Sequence, residues 1–72
     1  EPPHHLLCPV SLELLVDPVA TVAGHVYSRG SIEGWLAANN TDPMTGQALP
    51  LPVTLIPVRN LRDAVEEWQR NN

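Results

Sequence analysis

Only one cysteine, Cys8, occurs in the 72 residues, so no disulfide can form within the chain. A chain of this length supports one small hydrophobic core, and domains of that size usually depend on a disulfide, a bound metal ion or a partner for stability. Eight prolines, about twice the usual frequency, indicate that much of the chain is loop and that its regular elements are short. Interactions other than an internal disulfide must therefore hold these loops in place.

The charge of the chain argues against two classes of partner. Eight acidic residues against four arginines give a formal net charge of −4, whereas binding to a nucleic acid backbone requires a basic surface. No apolar run approaches the ~18 residues of a membrane span, and no basic segment precedes a hydrophobic stretch. We therefore expect an intracellular protein, cytoplasmic and/or nuclear, without nucleic acid or membrane partners. Because the sequence begins with Glu1 instead of methionine, we expect it to be part of a longer protein.

The first half of the chain predicts a loop, a hairpin and a helix. Residues 8–18 contain aliphatic residues without a helical or strand period, which indicates an ordered loop. Residues 20–22 and 25–27 are short runs suited to strands, joined at Ala23-Gly24 as in a β-hairpin. Ser28 is a candidate N-cap for a helix of about three turns, with its apolar face at Ile32, Trp35 and Leu36 and its end at Asn39-Asn40.

The second half predicts a further ordered loop over residues 41–57, with an edge strand at residues 55–56. A second helix follows, because Leu61, Ala64, Val65 and Trp68 recur at the spacing of one helical face; Leu61, Val65 and Trp68 are predicted to lie in the core. The predicted organisation is a linker stub over residues 1–6, a domain over residues 7–69 and a tail over residues 70–72.

Eight positions are spaced like the zinc ligands of a RING finger, but most of them cannot bind metal. Structural zinc sites use four thiolate or imidazole ligands. One of the two sites would have a single thiolate ligand, and the other would have at most two ligands, one imidazole and one carboxylate, so neither can hold structural zinc. The positions of the first site are Cys8, Ser11, Ser28 and Ser31, and those of the second are Ala23, His25, Asp42 and Thr45.

The chain resembles the U-box, the metal-free relative of the RING finger, over most of its length. The resemblance lies in four stretches, CPVSLELLVDPV, GHVYSRGSIEGWL, TDPMTGQAL and LIPVRNLRDAVEEW, in this order and spacing. It implies an α+β domain with a small antiparallel β-sheet, a central helix, two ordered loops and a C-terminal helix, without zinc or other cofactor. Hydroxyl and carboxylate side chains would tie the two loops together by hydrogen bonds, and the candidates are Ser28, Ser31, Asp42 and Thr45.

The resemblance also implies a ubiquitin ligase of the RING type. Such a domain binds a ubiquitin-conjugating enzyme charged with ubiquitin and promotes transfer to a substrate lysine, without a covalent intermediate of its own. The substrate would be bound by other domains. Matching the family's contact positions one by one places the docking surface for the conjugating enzyme at Val10, Leu12, Trp35, Pro43 and Met44.

Several alternatives stay open at this point. Val10, Leu12 and Trp35 are also residues that ordinarily belong to a core. Cys8 is a poor candidate for a nucleophile, because a reactive cysteine needs a positive environment or a base, and its near neighbours in the sequence are Leu6, Leu7 and Pro9. Gly46 stands where many U-boxes carry a basic or amide side chain that reaches both the conjugating enzyme and ubiquitin. This departure leaves room for an inactive interaction or dimerisation module, including a homodimer, and a zinc-binding RING variant is the third possibility.

Overall fold

The computed structural model of the chain describes residues 2–71. Its elements occur in the order 3₁₀ turn His4–Leu6, strand β1 (Pro18–Ala20), strand β2 (Val26–Ser28), helix α1 (Arg29–Leu36), strand β3 (Ile56–Pro57) and helix α2 (Arg59–Asn71). Two loops connect these elements at one end of the domain: loop 1 comprises residues 8–17, and loop 2 comprises residues 41–48. The predicted α+β class, with a small antiparallel sheet, two helices and long ordered loops, is confirmed.

The three strands form an antiparallel sheet in the order β2–β1–β3. The predicted hairpin is present, but its turn is longer than the sequence suggested, and β1 begins two residues earlier. Gly24 closes this turn: it has a φ of 98°, and its N–H donates to the carbonyl of Thr21 at 3.0 Å. The predicted edge strand is present as β3, one residue later than predicted, and Pro57 fits there because a proline, which lacks an N–H, is tolerated on an edge strand.

Helix α1 follows β2 without a connecting loop. Ser28 occupies the N-cap position, but its hydroxyl makes no capping hydrogen bond; it accepts the N–H of Val16 instead, at 3.0 Å. The helix is eight residues long, shorter than the three turns predicted. After the helix ends, Asn39 donates two hydrogen bonds to the carbonyl of Trp35, one from its backbone N–H at 3.0 Å and one from its side-chain amide at 3.1 Å.

Helix α2 packs its apolar stripe against β1 and the 3₁₀ turn, as its sequence period predicts. Val65 is buried, and Leu61, Ala64 and Trp68 pack against the core. Leu6 is also buried, with 2% of its surface exposed, so a residue that the sequence assigned to a linker belongs to the core. The buried cluster consists of Leu6, Cys8, Leu15, Val19, Tyr27, Ile32 and Val65.

Regular structure begins at His4, two residues after the start of the described chain, and extends to its other end. Helix α2 continues through Asn71, two residues past the predicted end of the domain at residue 69. Glu1 of the predicted stub and Asn72 of the predicted tail lie outside the described residues. No helix within residues 2–71 is long and apolar enough to cross a membrane.

Candidate protein docking site

Loop 1 is closed at its base by backbone hydrogen bonds. The N–H of Cys8 donates to the carbonyl of Glu13, and the N–H of Leu12 donates to the carbonyl of Cys8, each at 2.8 Å. Leu12 adopts a left-handed conformation with a φ of 61°. These bonds hold a short tip whose apolar side chains face solvent, since Val10 is 42% and Leu12 74% exposed.

Loop 2 is a second closed turn. The N–H of Asp42 donates to the carbonyl of Gln47 at 2.9 Å, and the N–H of Gly46 donates back to the carbonyl of Asp42 at 2.7 Å. Gly46 has a φ of 73°, a conformation that glycine adopts without steric cost. Pro43 at the tip is half-buried, whereas Met44 is 54% exposed.

A buried carboxylate fixes loop 2 to the hairpin. Asp42 has no exposed surface. One of its oxygens accepts the hydroxyl of Thr21 at 2.6 Å, and the other accepts the hydroxyl of Tyr27 and the N–H of Met44, the latter at 2.9 Å. A buried charge is stable only when it is hydrogen-bonded in this way. Loop 2 is thus attached to the sheet on one side.

Helix α1 holds the other side of loop 2. The indole Nε1 of Trp35 donates to the carbonyl of Thr41 at 2.8 Å. Trp35 is half-buried and packs against the core. Its side chain therefore contributes to the core and supports the loop, and its contact with a partner stays a prediction.

The hydrogen bonds around Asp42 decide its protonation state. Burial raises the pKa of this carboxyl, but the hydrogen bonds from Thr21, Tyr27 and the backbone of Met44 and Thr45 outweigh it and hold the pKa below its usual value. Burial, together with the hydrogen bond to Asp42, raises the pKa of the Tyr27 phenol. The pair is therefore a carboxylate and a neutral phenol at neutral pH.

Loop 1 is held by the residue next to Tyr27. The hydroxyl of Ser28 accepts the N–H of Val16, and the N–H of Ser28 donates to the sulfur of Cys8 at 3.4 Å. Burial raises the pKa of the Cys8 thiol, but hydrogen bonds from the amides of Ser11, Ser28 and Val10 and from the Ser11 hydroxyl bring the pKa to about 7. Cys8 has no exposed surface, so a substrate cannot reach this sulfur.

The predicted hydrogen-bonding set differs from the observed one in its members and in what it joins. Within residues 2–71, Ser31 makes no side-chain hydrogen bond, and the hydroxyl of Thr45 serves only its own loop, accepting the N–H of Gln47 at 3.1 Å. No hydrogen bond in this range joins loop 1 directly to loop 2. Each loop is attached to strand β2, through Ser28 and Tyr27 respectively.

Thr21 and Tyr27 are not among the residues that the sequence predicted for this hydrogen-bonding set. The sequence does contain an indication of their role, because both residues carry a hydroxyl and lie on the predicted hairpin, and a buried Asp42 requires hydrogen-bond donors. What the sequence did not indicate was the pairing, because the donors and the acceptor are 15 to 21 residues apart.

The structure brings the tips of the two loops to one groove. Leu12 of loop 1 and Met44 of loop 2 line it together, and its remaining lining residues are His4, Leu7, Cys8 and Pro9. Val10 is exposed on the tip of loop 1, and Pro43 and Trp35 are half-buried in loop 2 and α1. No lysine or arginine occurs in either loop. The arrangement is an apolar surface suited to binding another protein.

The same region offers little to a metal ion. Among the described residues 2–71, no three His, Cys, Asp or Glu side chains come together in a group that could hold one. Asp42, the most buried of the candidate ligands in the second RING-like site, is occupied by hydroxyl and amide donors.

Comparison with known proteins gives a family match and several curated relatives. The family model described as U-box domain matches residues 2–72. U-box domain-containing protein 26 of Arabidopsis thaliana is 46% identical over 67 residues, which are 92% of this chain and 16% of the relative. E3 ubiquitin-protein ligase PUB24 of the same plant is 43% identical over 68 residues, 94% of this chain and 15% of the relative.

A vertebrate relative shows the same pattern. WD repeat, SAM and U-box domain-containing protein 1 of Danio rerio is 43% identical over 68 residues, which are 92% of this chain and 14% of the relative. The chain thus spans a small fraction, between 14 and 16%, of the length of these three relatives.

Proposed function

We propose that this chain, which belongs to the U-box family, is a ubiquitin ligase module that binds a ubiquitin-conjugating enzyme charged with ubiquitin. One relative carries the name E3 ubiquitin-protein ligase, which supports the general activity. The observation that carries the proposal is the shared groove of Leu12 and Met44, because it places exposed apolar side chains of both loops on one surface. Val10, Trp35 and Pro43 complete the proposed contact surface.

The proposed docking surface is small, and we therefore propose a transient complex. Exposed apolar side chains in a shallow groove act as anchors for a partner, and a few such anchors supply most of the binding energy of an interface. The two loops contain acidic residues and no lysine or arginine. Asp42 is buried and Asp17 is paired with Arg29. Glu13 is therefore the acidic side chain left for a partner, and a partner surface that combines apolar and basic residues would be complementary.

The proposed role in the chemistry is that of a scaffold. In the transfer, the substrate amine bonds to the carbonyl carbon of ubiquitin, the carbon–sulfur bond breaks, and the conjugating enzyme is released as a thiol that carries the proton lost by the amine. The module would contribute by restricting the orientation of the thioester, an effect worth several kcal/mol when reactive geometry is held. A covalent role for Cys8 has no support, since its sulfur is inaccessible.

Binding is tested by two substitutions in the proposed surface and one outside it. Val10→Arg and Pro43→Ala should abolish or strongly weaken binding of conjugating enzymes in an NMR titration while the spectrum stays that of a folded domain. Val16→Arg is the matched control, because Val16 is an exposed valine that lines a different groove, beside α2. Undiminished binding by both test variants would refute the proposed surface.

A second candidate function, an interaction or dimerisation module without ligase activity, is favoured by Gly46. This residue lacks a side chain that could reach the conjugating enzyme and ubiquitin together. A Cβ added at Gly46 would meet no atom within 4 Å, so a longer side chain fits there apart from the strain of the positive φ. Release of ubiquitin from a charged enzyme to free lysine should be measured with and without Gly46→Arg.

The outcomes separate the two candidates. Release accelerated by the wild-type domain supports the ligase, and a further increase with Gly46→Arg shows that the missing side chain limits its rate. If the wild type binds conjugating enzymes but no enzyme of a panel is discharged faster, the inactive module is the better description. Substrate recognition by other parts of a longer protein, and action in the cytoplasm and/or nucleus, are parts of the same proposal.

A further inference from the structure

The N–H of Met44 lies between two acceptors that are themselves hydrogen-bonded. It is 2.9 Å from the Asp42 Oδ1 and 3.3 Å from the hydroxyl oxygen of Tyr27, and that hydroxyl donates to the same Asp42 oxygen. The three groups form a closed triangle at the backbone of Met44, whose side chain is exposed. The backbone of this groove residue is therefore fixed by a side chain of the sheet.

Thr21 provides an internal comparison. Like Tyr27, it is buried and donates its hydroxyl to Asp42, but it does so to the other carboxylate oxygen, Oδ2. Met44 bonds to Oδ1 and to Tyr27, not to Thr21. The two hydroxyls thus make the same kind of contribution to the buried carboxylate and differ in their contact with the groove residue.

From this difference we infer that Tyr27 is a positioning residue of the docking site, whose hydroxyl sets the place of Met44 for the partner. Tyr27 has no exposed surface and does not touch a partner itself. The inference rests on the proposed function, since it specifies how the surface for the conjugating enzyme is preorganised. Preorganisation raises affinity because the partner does not have to order the loop on binding.

The test compares Y27F with T21V. Each substitution removes one hydroxyl from Asp42 and keeps the shape of the side chain. Both should lower stability, and binding should be measured where both variants are fully folded, using an uncharged ubiquitin-conjugating enzyme that binds the wild type. We expect Y27F to weaken binding about fivefold or more, a typical size for coupled neighbours, and T21V to stay within about twofold of the wild type.

Two further readouts separate positioning from a general structural role. In a double-mutant cycle, Y27F should weaken binding much less when Met44 is already Ala, because the groove side chain it positions is gone. The amide proton signal of Met44 should move further in Y27F than in T21V. Tyr27 is the only tyrosine of the chain, so replacing it with 3-fluorotyrosine, which makes the phenol more acidic, tests the same contact if Y27F does not fold.

The outcomes that overturn the inference differ from those that overturn the proposed function. If the wild type binds but Y27F and T21V lose the same affinity, or if fluorination changes neither affinity nor the Met44 signal, Tyr27 has no positioning role. An additive cycle with Met44→Ala leads to the same conclusion. If the wild type binds no conjugating enzyme of a panel, the proposed function fails, and the inference falls with it.

Discussion

At the scale of single residues, Asp42 joins separate segments of the chain at one buried point, as a metal ion does in a zinc-stabilised loop. Its carboxylate gathers the hydroxyls of Thr21 and Tyr27 and the amide of Met44, so three separate parts of the chain meet at one side chain. Removing the carboxylate leaves these donors without an acceptor, and removing a donor leaves part of the buried charge unpaired, each at a cost of roughly 1–3 kcal/mol. The site should therefore be sensitive to small chemical changes.

Asp42→Asn should lower the free energy of unfolding by about 2–3 kcal/mol, because an amide nitrogen replaces one of the two acceptor oxygens and opposes a donor. Urea unfolding followed by tryptophan fluorescence measures the change. Asp63→Asn is the matched control, since Asp63 is largely exposed on α2 and should shift stability by less than about 0.5 kcal/mol. Equal effects of the two substitutions would contradict the role of Asp42.

The pH dependence of stability follows from the lowered pKa of Asp42. Because the folded pKa lies below the value of about 3.9 in an unfolded chain, the stabilisation is complete above that value and is lost as the pH falls through the folded pKa. The stability difference between the wild type and Asp42→Asn should therefore shrink in acid. A difference that stays constant from pH 6 to about pH 2 would show that Asp42 is not ionised in the fold.

Tyr27 makes the stability of the fold depend on pH in the opposite direction. Its pKa is raised in the fold, so its stabilisation is present below the unfolded value of about 10 and is lost as the pH rises through the folded value. The stability of the wild type should fall above about pH 10, and that of Y27F should fall less. Parallel alkaline unfolding curves would contradict this assignment.

At the scale of elements, strand β2 organises the site. Its neighbouring residues Tyr27 and Ser28 attach loop 2 and loop 1, respectively. The sequence predicted the helices and the hairpin because they are periodic or marked by local turn residues. It did not predict that the Ser28 hydroxyl would bind Val16 instead of capping α1, since both bonds suit a serine and only the packed loop decides between them.

The docking site, like the fold, was predictable only in part from the sequence. The exposed loop residues came from matching the chain to a family pattern, whereas Thr21 and Tyr27 depend on long-range pairing across the hairpin. Strand ends also shifted, because a three-residue strand is defined by its partner and not by its own composition. Local chemistry was therefore readable from the sequence, and the choice among long-range hydrogen-bond partners was not.

Loop 1 allows stability and binding to be separated in one substitution. Leu12 is 74% exposed and holds a left-handed conformation, which asparagine adopts more readily than leucine. Leu12→Asn should leave the free energy of unfolding unchanged or slightly higher, while weakening binding to a conjugating enzyme by about tenfold through the lost apolar contact. A variant that binds as tightly as the wild type would remove Leu12 from the docking surface.

At the scale of the whole molecule, the absence of lysine has a direct consequence for ligase assays. The chain contains four arginines and no lysine, and its single thiol is buried. Assays that score self-modification of this fragment should therefore underestimate its activity, and release of ubiquitin to free lysine should report it. Mass spectrometry after such a reaction should find no ubiquitin on side chains of residues 1–72. Ubiquitin mapped to a side chain of this range would contradict the expectation.

The attachment of loop 2 to the hairpin also determines when the domain can recognise a partner. Thr21 and Tyr27 reach Asp42 across 21 and 15 residues of chain, and Trp35 adds a support from α1. Loop 2 is closed by its own backbone hydrogen bonds, but these three side chains fix it to the rest of the domain, so we expect its position to be set only when the hairpin and helix have assembled. Recognition is then cooperative with folding, and on heating, affinity should disappear in the same transition that melts the core.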